Sequence, residues 1–312
     1  MQDNPKSRKG SNTIQKRAQY SKKKCELYAI IYICHTFSLS LDNRYNHSPP
    51  FMKNPFDNPH RLFAFTLINQ ASQIALTYYG NQSLKVDTKR DASPVTIADR
   101  KAEAFIRKEL ELHYPDDGIL GEEFGEKLSQ NGRRWVIDPI DGTKAFIHHV
   151  PLWGMMLALE VNGEPHLGII AFPALGTIYH AVQGEGAYEK ETPISVSSVT
   201  SVADATIVFT EKEYLLDSPS NHPVDMLRNS GGLVRGWGDC YGHMLVASGN
   251  AEVAVDKIVS PWDCAAVIPI VTEAGGCCFD YKGNKSSSGE YGLVSTNRQL
   301  GEQLLQEIAG KG

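Results

Sequence analysis

Apolar residues recur through residues 57–79 at Leu62, Phe65, Leu67, Ile68, Ala71, Ile74, Ala75 and Tyr78. That spacing predicts a helix, with Gly80 as its stop. Leu84-Lys85-Val86 reads as a short strand. Ser93-Pro94-Val95-Thr96 leads into a second helix, with Thr96 as N-cap, Asp99 three residues on, and Ala102, Phe105, Ile106 and Leu110 on one apolar face. From Trp135 the period changes. Trp135-Val136-Ile137 predicts a buried strand ending in Asp138-Pro139. Trp153 to Val161, the turn Asn162-Gly163-Glu164, then Leu167 to Phe172 and Thr177 to Val182 predict an antiparallel meander packed on the two earlier helices. Gly184-Glu185-Gly186 is a further turn. Beyond Pro193 the elements mix: a strand at Thr206 to Phe209, a helix at Cys240 to Ser248, a strand at Ala251 to Asp256, and an apolar helix from Ala265 to Ala274 closed by Gly275-Gly276.

Three segments follow: an extension over residues 1–51, an α+β half over 52–190, and an α/β half over 191–312. The extension carries nine basic and three acidic residues, and its polar start ends in Lys22-Lys23-Lys24. The apolar run from Cys25 to about Leu41 is interrupted by His35, Thr36, Ser38 and Ser40, a poor match to a signal peptide or a membrane span. Met52 opens a segment suited to an amino terminus, so residues 1–51 read as a dispensable or non-native extension.

Charge sharpens the picture of the body. Residues 52–312 carry 22 basic and 33 acidic groups, which disfavours nucleic-acid binding and suits a protein that attracts cations. The six cysteines form no C-x-x-C pair, and Cys277 and Cys278 are adjacent. They read as reduced thiols of a cytoplasmic protein. No membrane association is expected of the body.

Four acids fall where elements end: Glu122 in Gly121-Glu122-Glu123, Asp138 and Asp141 in Asp138-Pro139-Ile140-Asp141-Gly142-Thr143, and Asp263 in Pro261-Trp262-Asp263. Carboxylates set among apolar residues repel one another unless a hard divalent cation compensates them. Pro139 stiffens the turn between Asp138 and Asp141. A helix starting at Gly142-Thr143 would turn free N–H groups toward the same spot, a phosphate site, and Thr143 could orient a hydroxyl toward water. Magnesium between carboxylates and phosphate oxygens is the expected arrangement.

These motifs, with Ser93-Pro94-Val95-Thr96-Ile97-Ala98-Asp99 upstream, Lys144-Ala145-Phe146 after the Asp-Gly-Thr, and Glu273-Ala274-Gly275-Gly276 downstream, resemble the inositol monophosphatase family over roughly residues 57–310. Each motif alone is an ordinary turn or a solvated surface; four in register are specific. The resemblance implies a layered α-β-α-β-α sandwich and hydrolysis of a small phosphate monoester. It implies two or three Mg²⁺ ions on Glu122, Asp138, Asp141, Asp263 and the carbonyl of Ile140, with Asp99 supporting the outermost through water. Glu122 and Thr143 would activate the attacking water. A homodimer is also implied.

Within the family, Lys144 is shared with the histidinol-phosphatase-like and adenosine-phosphate-phosphatase-like members, and Phe146 to Gly154 looks more like the histidinol branch. The expected substrate contacts are Asp141, Gly142, Thr143, Lys144, Asp239, Asp256 and Asp263, with Asp239 and Asp256 toward a cationic amino-alcohol end. Lys144 either contacts phosphate or snorkels to solvent, and His148 and His149 read as loop histidines. Hydrolysis of inositol 1-phosphate or adenosine 3′,5′-bisphosphate, a non-catalytic metal-binding protein, and a membrane anchor in residues 25–41 are the competing readings.

Overall fold

The first described helix, α1 (Pro59–Leu76), begins where the Asn58 side chain accepts the N–H groups of His60 and Arg61 at 3.0 and 3.2 Å, with Pro59 in the first turn. Its buried stripe is Ala64, Leu67, Ile68, Ala71 and Ala75, and Gly80 takes φ 82° just beyond the end. A computed structural model of the protein describes residues 55–81, 84–88, 94–210, 232–257, 259–285 and 291–310. The expected extension over residues 1–51, the start at Met52 and the loop residue Ser93 lie outside the described residues. No helix of the described residues is long and apolar enough to cross a membrane.

The expected strand at Leu84-Lys85-Val86 sits two residues later, as β1 (Val86–Thr88), because it pairs antiparallel with β2 (Pro94–Thr96). Thr96 then caps α2 (Ile97–His113): its hydroxyl accepts the Ala98 N–H at 3.0 Å, and Asp99 Oδ2 accepts the Thr96 N–H at 2.8 Å.

The main sheet contains β3 (Gly118–Gly121), β4 (Gly125–Lys127), β5 (Arg133–Asp141), β6 (Gly154–Val161), β7 (Glu164–Phe172), β8 (Thr177–Val182), β9 (Ala187–Glu189) and β10 (Thr192–Pro193). Their order is β10-β9-β8-β7-β6-β5-β3-β4, antiparallel except for the β3–β5 pair. Asn162 (φ 54°) and Gly163 (φ 86°) both take left-handed conformations in the β6–β7 hairpin, as a two-residue primed turn requires.

The second sheet contains β11 (Thr206–Phe209), β12 (Leu233–Arg235), β13 (Val253–Asp256), β14 (Gly276–Phe279) and β15 (Leu293–Asn297), in the order β12-β11-β13-β15-β14. Between the sheets lie α4 (Asp239–Ala247), α5 (Pro261–Ala265) and α6 (Val267–Glu273); the short α3 (Thr143–Ile147) follows β5. Helices α1 and α2 cover the outer face of the main sheet, and α7 (Arg298–Gly310) packs on β14 and β15. The layers are thus α-β-α-β-α, as expected.

The inner helices seat on the main sheet through one apolar core that includes Val136, Ile170, Phe172, Cys240, Met244, Val267 and Ile270. A second cluster, with Val253, Val255, Phe279, Leu300 and Leu304, joins the smaller sheet to α7. The helix expected at Ala265 to Ala274 is α6, which starts two residues later, and α5 precedes it across a break at Ala266. Pro269 explains the break: having no N–H, it is tolerated in a helix's first turn, and here it is the third residue of α6. The break places Asp263 in the first turn of α5.

Layer spacing depends on Gly168 of β7. A Cβ there would lie 2.2 Å from the Ala266 carbonyl oxygen and 2.8 Å from Pro269. Gly168→Ala should therefore lower stability by about 1–3 kcal/mol, as overpacking does. Chemical denaturation checks this; a wild-type midpoint would show that the two layers are not held at this spacing.

Candidate metal centre and active site

Asp138 and Asp141 are three residues apart, and a regular strand would send them to opposite faces. The β5–β6 register is regular up to Asp138 opposite Met156, then shifts, and resumes with Asp141 opposite Gly154. The irregularity lets both carboxylates face one spot. Asp138 Oδ1 accepts the Ile140 N–H at 3.0 Å, which tightens the Asp-Pro-Ile turn. Gly142 then turns left-handed at φ 75°, and α3 begins with Thr143, whose hydroxyl donates to the Ile140 carbonyl at 3.0 Å.

Asp263 arrives from the helical layer. One ligand oxygen from each of Asp138, Asp141 and Asp263 lies within 4.8 Å of the others. Each of the two outer acids is held by a backbone N–H: Cys240 N–H reaches Asp141 Oδ2 at 2.6 Å, and Ser260 N–H reaches Asp263 Oδ2 at 2.6 Å. Glu122 comes from the β3–β4 turn, and its own N–H donates to Ile137 O of β5 at 3.3 Å.

Burial pushes the Asp138 carboxyl well above the carboxylate range, and the charges of Glu122, Asp141 and Asp263 push it further. Asp263 is raised well above its ordinary value, first by burial and then by Asp141. Asp141 is raised by burial against the opposing Cys240 bond. An all-oxygen donor set of crowded anions fits a hard cation such as Mg²⁺, which would remove the repulsion that otherwise favours protonation.

The other expected site residues surround this centre unevenly. Asp239 takes φ 53° as the first residue of α4. A Cβ on Gly142 would meet its Oδ2 at 3.1 Å, so the Asp239 carboxylate lies over the glycine beside Asp141. Burial raises Asp239 well above its usual range, and Asp141, Asp256 and Asp263 add to the shift while Lys144 opposes it. Asp256 closes β13 and lines a cleft of about 50 Å³ together with Asp141, Thr210, Cys240, His243, Val259 and Asp263. Lys144 is exposed on α3. His148 and His149 are exposed loop residues, His148 Nδ1 sitting 2.8 Å from the Lys144 carbonyl. Asp99 stands outside the three-carboxylate group: Thr96 donates both its N–H (2.8 Å) and its hydroxyl (2.6 Å) to Asp99 Oδ2. Its carboxyl is raised by burial, with Glu123 a smaller contributor.

Sequence reasoning missed a chain of side chains behind the acids. Ser295 Oγ lies 2.7 Å from His243 Nδ1, and His243 Nε2 lies 3.0 Å from Asp256 Oδ2. The Thr210 hydroxyl donates to Asp256 Oδ1 and accepts the Asp239 N–H at 2.7 Å. The one available signal was His243 falling four residues after Asp239, hence on the same helix face.

Fold and centre together define a metal-dependent phosphoric monoester hydrolase of layered α/β type. The model of the inositol monophosphatase family matches residues 58–311, and the chain belongs to that family. It is 60% identical over 250 residues to a histidinol-phosphatase of Chlorobaculum parvum, covering 80% of this chain and 96% of that one. A histidinol-phosphatase of Mycobacterium tuberculosis is 35% identical over 252 residues, covering 79% and 96%. Among solved structures, the extragenic suppressor protein suhB of Bartonella henselae superposes with a TM-score of 0.72 at 27% identity, covering 80% of this chain and 98% of that one. An inositol monophosphatase from Zymomonas mobilis gives 0.67 at 30% identity, covering 79% and 96%.

The raised carboxyls set a pH dependence. A group whose folded pKa is raised contributes stability that is fully present below the ordinary carboxylate pKa of about 4 and is lost as pH rises through the folded value. Metal-free protein should therefore lose melting temperature relative to an Asp138→Asn variant as pH rises from about 5 to 8, and millimolar Mg²⁺ should reverse the loss in wild type only. Thermal melts in EDTA and in Mg²⁺ check this; parallel profiles for the two proteins would remove the repulsion from the account.

Proposed function

We propose that the protein hydrolyses histidinol phosphate to histidinol and phosphate, a step of histidine biosynthesis. The observation that carries this reading is the placement of two further acids, Asp239 and Asp256, beside the carboxylate centre. A polyol can donate only hydroxyl hydrogen bonds to two carboxylates in a recess, whereas an ammonium or imidazolium group also neutralises their charge. The high identity to a relative named histidinol-phosphatase over nearly all of that relative's length supports it independently.

In this reading, Glu122, Asp138, Asp141, Asp263 and the Ile140 carbonyl hold two or three Mg²⁺ ions, with Asp99 supporting the outermost through water. Magnesium bound there would neutralise the acids, polarise the phosphate oxygens and lower the pKa of the attacking water. The protein's own groups do the rest. The Thr143 hydroxyl proton is committed to Ile140 O, so Oγ is left as an acceptor that can orient a water O–H. Glu122 takes the proton that this water loses. Gly142, Thr143 and Lys144 line the phosphate side, with Asp141 and Asp263. Asp239 and Asp256 receive the cationic end, and the Ser295-His243-Asp256-Thr210 chain fixes where they point. The family resemblance carries with it a homodimer, and the cysteines, read as reduced thiols, support a cytoplasmic location.

Phosphate release from histidinol phosphate, inositol 1-phosphate and adenosine 3′,5′-bisphosphate, with and without Mg²⁺, tests this. Histidinol phosphate should have the highest kcat/KM, and EDTA should abolish turnover. Asp239→Asn should raise KM for histidinol phosphate about tenfold, on the scale of one lost charge-assisted contact, with a smaller effect on inositol 1-phosphate. Equal losses on both esters would sink the role of Asp239; preference for another ester would sink the substrate assignment.

A further inference from the structure

Helix α2 sends a second acid into the protein one turn beyond Asp99. Glu103 is fully buried, yet it neither belongs to the three-carboxylate group nor caps its own helix. Its Oε2 accepts the Glu123 N–H at 2.7 Å. Its Oε1 accepts the Phe124 N–H at 3.2 Å and Arg107 Nε at 2.7 Å. Arg107 also donates from Nη2 to the Gly125 carbonyl. Three successive residues, from the β3–β4 turn into the first residue of β4, are thus held by one carboxylate–guanidinium pair on another layer of the fold.

Glu122 lies immediately before that grip. The amide on its N-terminal side is fixed to Ile137 O of β5, and the amide on its C-terminal side is fixed to Glu103. With both flanking peptide units held, the direction of the Glu122 Cα–Cβ bond is set by two anchors: the strand that carries Asp138, and Glu103. Gly121 belongs to the same device. A Cβ there would sit 2.0 Å from Glu103 Oε1 and 2.9 Å from Arg107 Nη2, so the missing side chain is the slot that Glu103 fills.

We propose that Glu103 is the positioning residue for Glu122: it aims Glu122 at the centre formed by Asp138, Asp141 and Asp263 without itself touching metal or substrate. This rests on the role given to Glu122 above. A buried carboxylate receiving two adjacent backbone N–H groups and a guanidinium is a strong, charge-assisted clamp, and small displacements of a catalytic group are costly to rate.

The test is a double-mutant cycle with the best ester of the panel. Glu103→Gln keeps shape but turns an NH₂ against one of the two N–H groups. It should lower kcat about tenfold or more, leave KM within about twofold, and raise the Mg²⁺ concentration needed for half-activity. Glu160→Gln is the control: that carboxylate is equally buried and paired with Arg134 at 2.7 Å, but on β6, so it should lower the melting temperature and leave kcat unchanged. In a Glu122→Gln background, Glu103→Gln should change kcat by less than about twofold. If Glu103→Gln does not fold, Gly121→Ala displaces the same carboxylate and should give the same pattern. The same loss of kcat in both backgrounds, or none in wild type, overturns the proposal. A fully active Glu122→Gln enzyme removes the role of Glu122 itself and this proposal with it, a result distinct from either.

Discussion

Mutual repulsion among buried carboxylates is the constraint around which this protein is arranged. Two unit charges 4.8 Å apart interact by roughly 3–4 kcal/mol at an effective dielectric of about 20. Three such pairs sum to about 10 kcal/mol, which is comparable with the whole stability of a typical domain. Holding Asp138, Asp141 and Asp263 all ionised without a cation is therefore costly, and the fold meets the problem with local backbone devices. A register shift turns two strand residues to one side. A proline stiffens the turn between them. Backbone N–H groups from the start of α4 and from Ser260 hold Asp141 and Asp263.

The layered architecture follows from where those devices must meet. Asp138 and Asp141 end a strand of the main sheet, Asp263 starts a helix of the inner layer, and Asp256 ends a strand of the smaller sheet. Only at the seam between the sheets can all three elements converge. The seam is tight. A Cβ on Gly154 of β6, the partner of Asp141, would lie 2.4 Å from Cys240 Sγ. Packing α4 this closely on β6 is what delivers the Cys240 N–H to Asp141 and sets Asp239 over Gly142.

The sequence carried most of this where the signal is local. The apolar run Trp135-Val136-Ile137 followed by Asp-Pro announces a strand that ends in chemistry, and Asn162-Gly163 announces its hairpin. The cap at Thr96 is equally local. What escaped was short or non-local. Strands β3, β4, β9 and β12 span three or four residues, too few to display a period of two. Helix α7 does have a spaced apolar face, at Leu300, Leu304, Leu305 and Ile308, but β15 runs directly into it at Asn297-Arg298 with no turn to mark the boundary. The helix break at Ala266 was legible in Pro269 and was overridden by the unbroken apolar run around it. The Ser295-His243-Asp256-Thr210 chain could not be read in advance, because its bonded neighbours are 13 to 52 residues apart and meet only through tertiary packing.

That division has a functional consequence. The acids of the centre are held by main-chain N–H groups: Ile140 on Asp138, Cys240 on Asp141, Ser260 on Asp263. Such anchors persist whatever side chains surround them. Asp256 is held differently, through the side chains of Thr210 and His243, and His243 through Ser295. Each of those contacts disappears with a single substitution. In the proposed roles, the chemistry is therefore written into strand ends and helix starts that the whole fold must preserve, whereas recognition hangs on exchangeable side chains of the smaller sheet and α4. A scaffold built this way can exchange an amino-alcohol pocket for a polyol pocket by altering residues behind Asp256 without disturbing the carboxylates that hold the cation. This accounts in physical terms for relatives named for different phosphate esters sharing one arrangement of layers.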